Sequence, residues 1–179
     1  MTAMSPTQRR HERVSHRSIE DCPVIELSEQ EYKIGWHIAA ARTISYEGVS
    51  DDPFGSQDQF QAHLTGVLGE MAVAKAARSE MDDKIYVRGD PGHDLLVAEY
   101  TTDVKTTATH IQQPDLIVPT DRKLSADLYI LAHRIAGRKI RLVGWADHCT
   151  ITDCEPKREP GSQLNYIVPF EELQPIPTE

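Results

Sequence analysis

The sequence predicts an α/β domain in which a central mixed β-sheet is flanked by helices. Two segments carry helix-start signals followed by apolar residues at helical spacing. Several β-branched runs bounded by Gly, Pro and Asp alternate in the manner of strands. Two of these runs are joined by only three residues with a glycine at the centre, which marks a hairpin.

In chain order, residues 1–22 are polar and hold Arg9, Arg10, His11, Arg13, His16 and Arg17. A disordered basic arm is expected there, followed by a single domain over 23–179. Ser28 and Glu31 form a capping-box pattern, so a helix begins at Glu29. Ile34, Ile38, Ala41 and Ile44 extend it, and Gly48 stands where a stop is expected. Asp51–Gly55 reads as a loop. Ser56 and Gln59 form a second box, opening a longer helix to about Ala77. At about 100° per residue, Phe60, Leu64, Val67, Leu68 and Met71 make one buried stripe. Glu70 and His63 fall on its border, while Gly66 and Gly69 leave bare backbone for a close neighbour.

Residues 84–88 read as a strand and Gly89–Gly92 as a turn. Two strands are expected over Asp94–Glu99 and Thr101–Thr107, with a poorly marked turn between them. Pro114 and Pro119 make 110–126 a loop around a short strand at Leu116–Val118. Asp127–Ile135 and Lys139–Asp147 form the hairpin through Ala136, Gly137 and Arg138. A polar loop over 148–163, a strand at Tyr166–Val168 and one helical turn near Phe170 complete the domain.

Composition narrows the function classes. At 179 residues and 39% apolar content, with three Phe and two Trp, the chain can bury an aliphatic core of its own. No run reaches the length of a membrane span, and the first residues lack the apolar stretch of a secretory signal. Cys22, Cys149 and Cys154 are odd in number and without framework spacing, which suits a reducing, cytoplasmic setting. The net charge is −9. Beyond residue 18 the chain carries 15 basic and 27 acidic residues, so any nucleic-acid contact must run through local basic patches.

The chemistry concentrates between Asp94 and Thr107. Strand alternation puts Asp103 and Lys105 on one face, about 7 Å apart at the backbone, and turns Val104 the other way. If Asp94 and Asp103 lie on adjacent antiparallel strands, two carboxylates and an ammonium converge. Carboxylates that close repel unless a proton or a hard divalent cation lies between them. A metal could then hold a phosphate there, with the lysine serving an attacking water.

The ordered set of a helix bearing Gly69-Glu70, a strand, a strand opening at Asp94, and a strand carrying Asp103-Val104-Lys105 resembles the PD-(D/E)xK nuclease superfamily, which has the restriction-endonuclease-like fold. The resemblance covers roughly residues 57–147. It implies that Glu70 corresponds to the helix glutamate, Asp94 to the first motif aspartate, Asp103 to the second acidic residue and Lys105 to the catalytic lysine. His93 stands where a proline often precedes the aspartate, and no clear helix follows the lysine strand. The implied activity is phosphodiester hydrolysis in nucleic acid, DNA before RNA. Mg²⁺ or Mn²⁺ would be held by Asp94, Asp103 and the Val104 carbonyl, with Glu70 direct or through water. His63 offers a variant reading as an added ligand, as in cap-snatching RNA endonucleases of that superfamily.

Nucleic-acid contact is expected from Arg134, Arg138, Lys139 and Arg141 around the second hairpin, together with the amino-terminal arm. The competing expectations are a non-catalytic binding or assembly module on the same fold and an unrelated α+β interaction protein. Exo or endo action, and monomer or homodimer, stay open.

Overall fold

A computed structural model describes residues 17–46, 55–79, 93–108, 110–121, 123–158 and 163–177. The strand expected over 84–88, the turn at Gly89–Gly92, the loop over 51–54 and the stop at Gly48 lie outside the described residues.

The chain is a mixed α/β domain. Its helices are α1 (Glu29–Tyr46), α2 (Gly55–Ala77) and a short α3 (His148–Thr152). Its strands are β1 (Val24–Glu26), β2 (Leu95–Val97), β3 (Tyr100–Thr107), β4 (Leu116–Pro119), β5 (Leu128–Ala136), β6 (Lys139–Asp147) and β7 (Asn165–Val168). Five strands form the central sheet in the order β1-β6-β5-β3-β2, and β4 pairs with β7 in a separate two-stranded sheet. The pair β3–β5 is parallel and the other pairs are antiparallel. No helix among the described residues is long and apolar enough to cross a membrane.

Local chemistry explains where the elements begin. Ser28 Oγ accepts the Glu31 amide at 3.1 Å, and Glu31 accepts the Ser28 amide at 2.5 Å, closing the box that starts α1. The β5–β6 hairpin turns at Gly137, whose φ of +45° suits a residue without a Cβ. The β2–β3 turn is made by Ala98 and Glu99, both at positive φ (48° and 73°). Neither Gly nor Asn stands there, which is why the sequence marks the turn so weakly. Asp147 caps α3 by accepting the Thr150 amide at 2.7 Å, so the loop expected over 148–163 begins instead as a helical turn.

The sheet separates two cores. On one face, Leu64, Val67, Leu68, Ala72 and Val73 of α2 pack with Ala39 of α1 and with Val104, Ile130, Ala132, Ile140 and Leu142 of the strands. Gly69 brings α2 hard against β3: a Cβ there would stand 1.9 Å from Thr106 Oγ1. In α1 the buried positions are Ala39 and Thr43, with Gly35 against Met71, whereas Ile34 and Ile44 are exposed. On the other face, Tyr129, Leu131 and Val143 pack with Leu116, Val118, Val168 and Ile151. Helices therefore cover one face, and the small sheet with α3 covers the other.

The arm expected over 1–22 needs correction at its end. Residues 19–21 form a 3-10 turn and Cys22 is buried. Arg17 donates to the carbonyls of Leu173, at 3.0 Å, and Val143, and its guanidinium lies 5.0 Å from the Phe170 ring centroid. These bonds and a cation–π contact fix a residue that composition alone assigns to a solvated tail. Residues 1–16 lie outside the described set.

Candidate active site

Asp94 lies one residue before the paired part of β2, where Leu95 faces Thr102 across the ladder. Its amide donates to the Thr102 carbonyl at 2.8 Å, and its Oδ2 accepts the Val104 amide at 2.7 Å. Asp94 thus holds the backbone on either side of Asp103. Asp103 in turn accepts a hydrogen bond from Lys105 Nζ at 2.7 Å. Strand periodicity puts these two on the sheet face opposite Val104, which is buried under α2.

Glu70 approaches from α2 and is buried. Arg42 of α1 grips both of its oxygens, Nη1 to Oε1 at 2.8 Å and Nη2 to Oε2 at 2.9 Å. A fork of this geometry is the strongest neutral-pH partner a carboxylate finds among side chains. The sequence carries no signal for the pair, because its members are 28 residues apart on different helices.

The electrostatics record the convergence. Burial pushes the Asp94 carboxyl up to about 8, and the negative charges of Glu70 and then Asp103 push it the same way. The Val104 amide and the Lys105 ammonium oppose the rise without cancelling it. At neutral pH, Asp94 is a carboxyl short of positive charge. Nearby, Asp127 accepts from Thr101 Oγ1 at 2.6 Å and from the Thr101 amide at 3.0 Å. Those hydrogen bonds hold its carboxyl below the ordinary range, with His148 and His93 adding to the effect. Arg42 and Asp127 are polar groups of this region that sequence reasoning did not assign to a site.

The structure therefore brings Glu70, Asp94, Asp103 and Lys105 into one electrostatic neighbourhood. His63 stands apart, two helical turns or about 10 Å before Glu70, with Nδ1 3.4 Å from Thr43 Oγ1. Among the described residues no group of three or more His, Cys, Asp and Glu side chains is arranged to hold a metal ion. Two carboxylate oxygens, Asp94 Oδ1 and Asp103 Oδ2, take part in none of the hydrogen bonds above, whereas both oxygens of Glu70 are committed to Arg42.

The four basic residues of the second hairpin do not make one surface. Arg134 points toward α2, donating to Thr65 Oγ1 at 3.3 Å and to the Gly137 carbonyl at 3.1 Å. Arg138 lies 3.9 Å from Glu26, and Lys139 is exposed. Arg141 is paired in register with His133 on the opposite face from Arg134.

No family model matches the chain, and no curated protein or solved structure matches it.

Proposed function

We propose that the chain is a metal-dependent nuclease hydrolysing phosphodiester bonds in nucleic acid, with DNA the first substrate to test. The observation that carries the reading is the grip of Asp94 on both sides of Asp103, which sets two carboxylates together with Lys105 hydrogen-bonded to one of them. Carboxyl groups so placed repel when both ionise, so either one keeps a proton or a cation lies between them.

The donor set suits Mg²⁺ or Mn²⁺, because it offers hard oxygens at an Asp94 whose carboxyl is pushed up by burial and by neighbouring negative charge. Asp94 and Asp103 would hold the ion with the Val104 carbonyl, and Glu70 would contribute through water or after release from Arg42. Such an ion stabilises charge on a phosphodiester oxygen and acidifies bound water. Lys105, an ammonium on the Asp103 face, would orient the attacking water and offset the charge developing on the phosphate, the water's proton passing to solvent. Arg42 fixes both oxygens of Glu70, and a quarter of the arginine side chain remains exposed.

One observation favours a second reading, a nucleic-acid-binding or assembly module without catalysis. Arg42 already neutralises Glu70, as a structural ion pair would. Calorimetric Mn²⁺ titration beside a cleavage assay on single-stranded, duplex and branched DNA separates the two. Mn²⁺-dependent cleavage that is lost in Asp94→Asn supports the nuclease. Mn²⁺ binding without cleavage favours the module, and the absence of both sinks the metal site altogether.

A further inference from the structure

A row of polar side chains crosses the sheet on the face that carries Asp103 and Lys105. Thr107 of β3 is in register with His133 of β5, and His133 with Arg141 of β6. Adjacent strands are about 4.8 Å apart, so the three residues span about 10 Å. His133 is 4% exposed, while Thr107 and Arg141 are half-buried, which places the row just beneath the surface. Thr107 Oγ1, both ring nitrogens of His133 and Arg141 Nε are buried without a close hydrogen-bond partner, although the Ala108 backbone lies near enough to the His133 ring to act on it.

Buried polar atoms are nearly always satisfied, so several on one sheet face can serve a polar ligand. The groups in this row favour one sign of ligand. A guanidinium, an imidazole and a hydroxyl all offer N–H or O–H, and among the described residues no carboxylate pairs with Arg141. We propose that Thr107, His133 and Arg141 form an anion subsite that takes a phosphate group of a nucleic-acid strand, flanking the phosphate addressed at Asp94 and Asp103.

The placement favours a strand phosphate over a free one. Thr107 follows Lys105 by two residues on the same face, about 7 Å along β3, so the subsite continues the line of Asp103 and Lys105. Successive phosphates of one strand can occupy such a line. The imidazole is held below its ordinary range by burial and by Arg141, with the Ala108 backbone opposing. An anion between His133 and Arg141 would relieve that conflict.

The inference rests on the nuclease reading only for the identity of the strand, and the test keeps the two apart. Resonances of the His133 ring are followed in the full chain, with EDTA present, during titration with inorganic phosphate and then with a short single-stranded oligodeoxynucleotide. Both should shift the ring signals. Arg141→Gln and Thr107→Val should each weaken both by about tenfold or more, the loss expected for a hydrogen bond to a charged group. Asp94→Asn should leave phosphate binding intact. Should His133→Ala fail to fold, those two variants still decide the matter. Phosphate binding without any oligonucleotide effect on His133 would overturn the strand assignment, and silence with both probes would overturn the subsite. Failure of cleavage with these shifts intact would count against the nuclease alone.

Discussion

Arg42 and Glu70 form a two-pronged ion pair across the α1–α2 interface, with contacts of 2.8 and 2.9 Å and the glutamate side chain only 7% exposed. Removing the arginine strands a buried carboxylate. Arg42→Met is therefore expected to destabilise the fold by roughly 3 kcal/mol, the scale of a broken buried pair. The double variant Arg42→Met/Glu70→Met should recover most of that loss, because no charge is then left unpaired. Urea denaturation of the four proteins in this cycle gives the coupling directly. Equal losses in the single and double variants would show that the pair is not a unit.

Asp94 predicts a pH dependence. Its folded-state value of about 8 lies above the ordinary 3.8, so the native protein binds a proton that the unfolded chain releases. The associated stability is full below about pH 3.8 and is lost as pH rises toward 8. Asp94→Asn keeps an oxygen for the Val104 amide and cannot ionise. In EDTA the variant should melt close to wild type near pH 4 and above it at pH 9. Parallel melting curves across that range would contradict the burial and repulsion described for Asp94.

Gly69 predicts a steric effect. A methyl there meets Thr106 Oγ1 at 1.9 Å and Thr106 Cβ at 3.0 Å. Gly69→Ala should cost about 1–3 kcal/mol by overpacking, and adding Thr106→Ala should restore part of it. Glu70 is the next residue, so the displaced helix should also weaken Mn²⁺ binding. Calorimetry on the single and double variants reads both effects.

Lys105 separates binding from turnover. Lys105→Ala leaves both aspartates in place and removes a positive charge hydrogen-bonded to Asp103 at 2.7 Å. Mn²⁺ binding should persist or tighten, while any cleavage should fall by about a hundredfold or more. A variant that cleaves at the wild-type rate would remove Lys105 from the mechanism.

What the sequence made legible was short-range. The Ser28–Glu31 box, the Gly137 hairpin and the alternation of Asp103, Val104 and Lys105 each depend on residues within a few positions, and each is found in place. The buried face of α1 was misread, because Ile34 and Ile44 look apolar enough to be core yet are 47% and 67% exposed. Small residues win there: Gly35 lets Met71 and Leu68 approach where a larger side chain would clash. The turn at Ala98 and Glu99 lacked its usual residues, and Arg42 joins Glu70 only through the packing of two helices. The row at Thr107, His133 and Arg141 needed strand register, which composition does not supply.

The bonds of Arg17 bear on how the chain reaches its native state. Arg17 Nη1 and the Leu173 carbonyl are 156 residues apart in sequence, and Trp145 exchanges backbone hydrogen bonds with Gln174 at 2.9 Å each way. Along the same edge β6 pairs with β1, which comes from the opposite end of the described chain. Closing such long loops is entropically expensive and is rewarded only after the intervening sheet exists. The β5–β6 hairpin is expected to form early from local contacts, and the two ends of the described chain to dock onto it last. Refolding followed at Trp145 should therefore trail the burial of the α2 core, giving a slow final phase that shortening the chain at either end would remove.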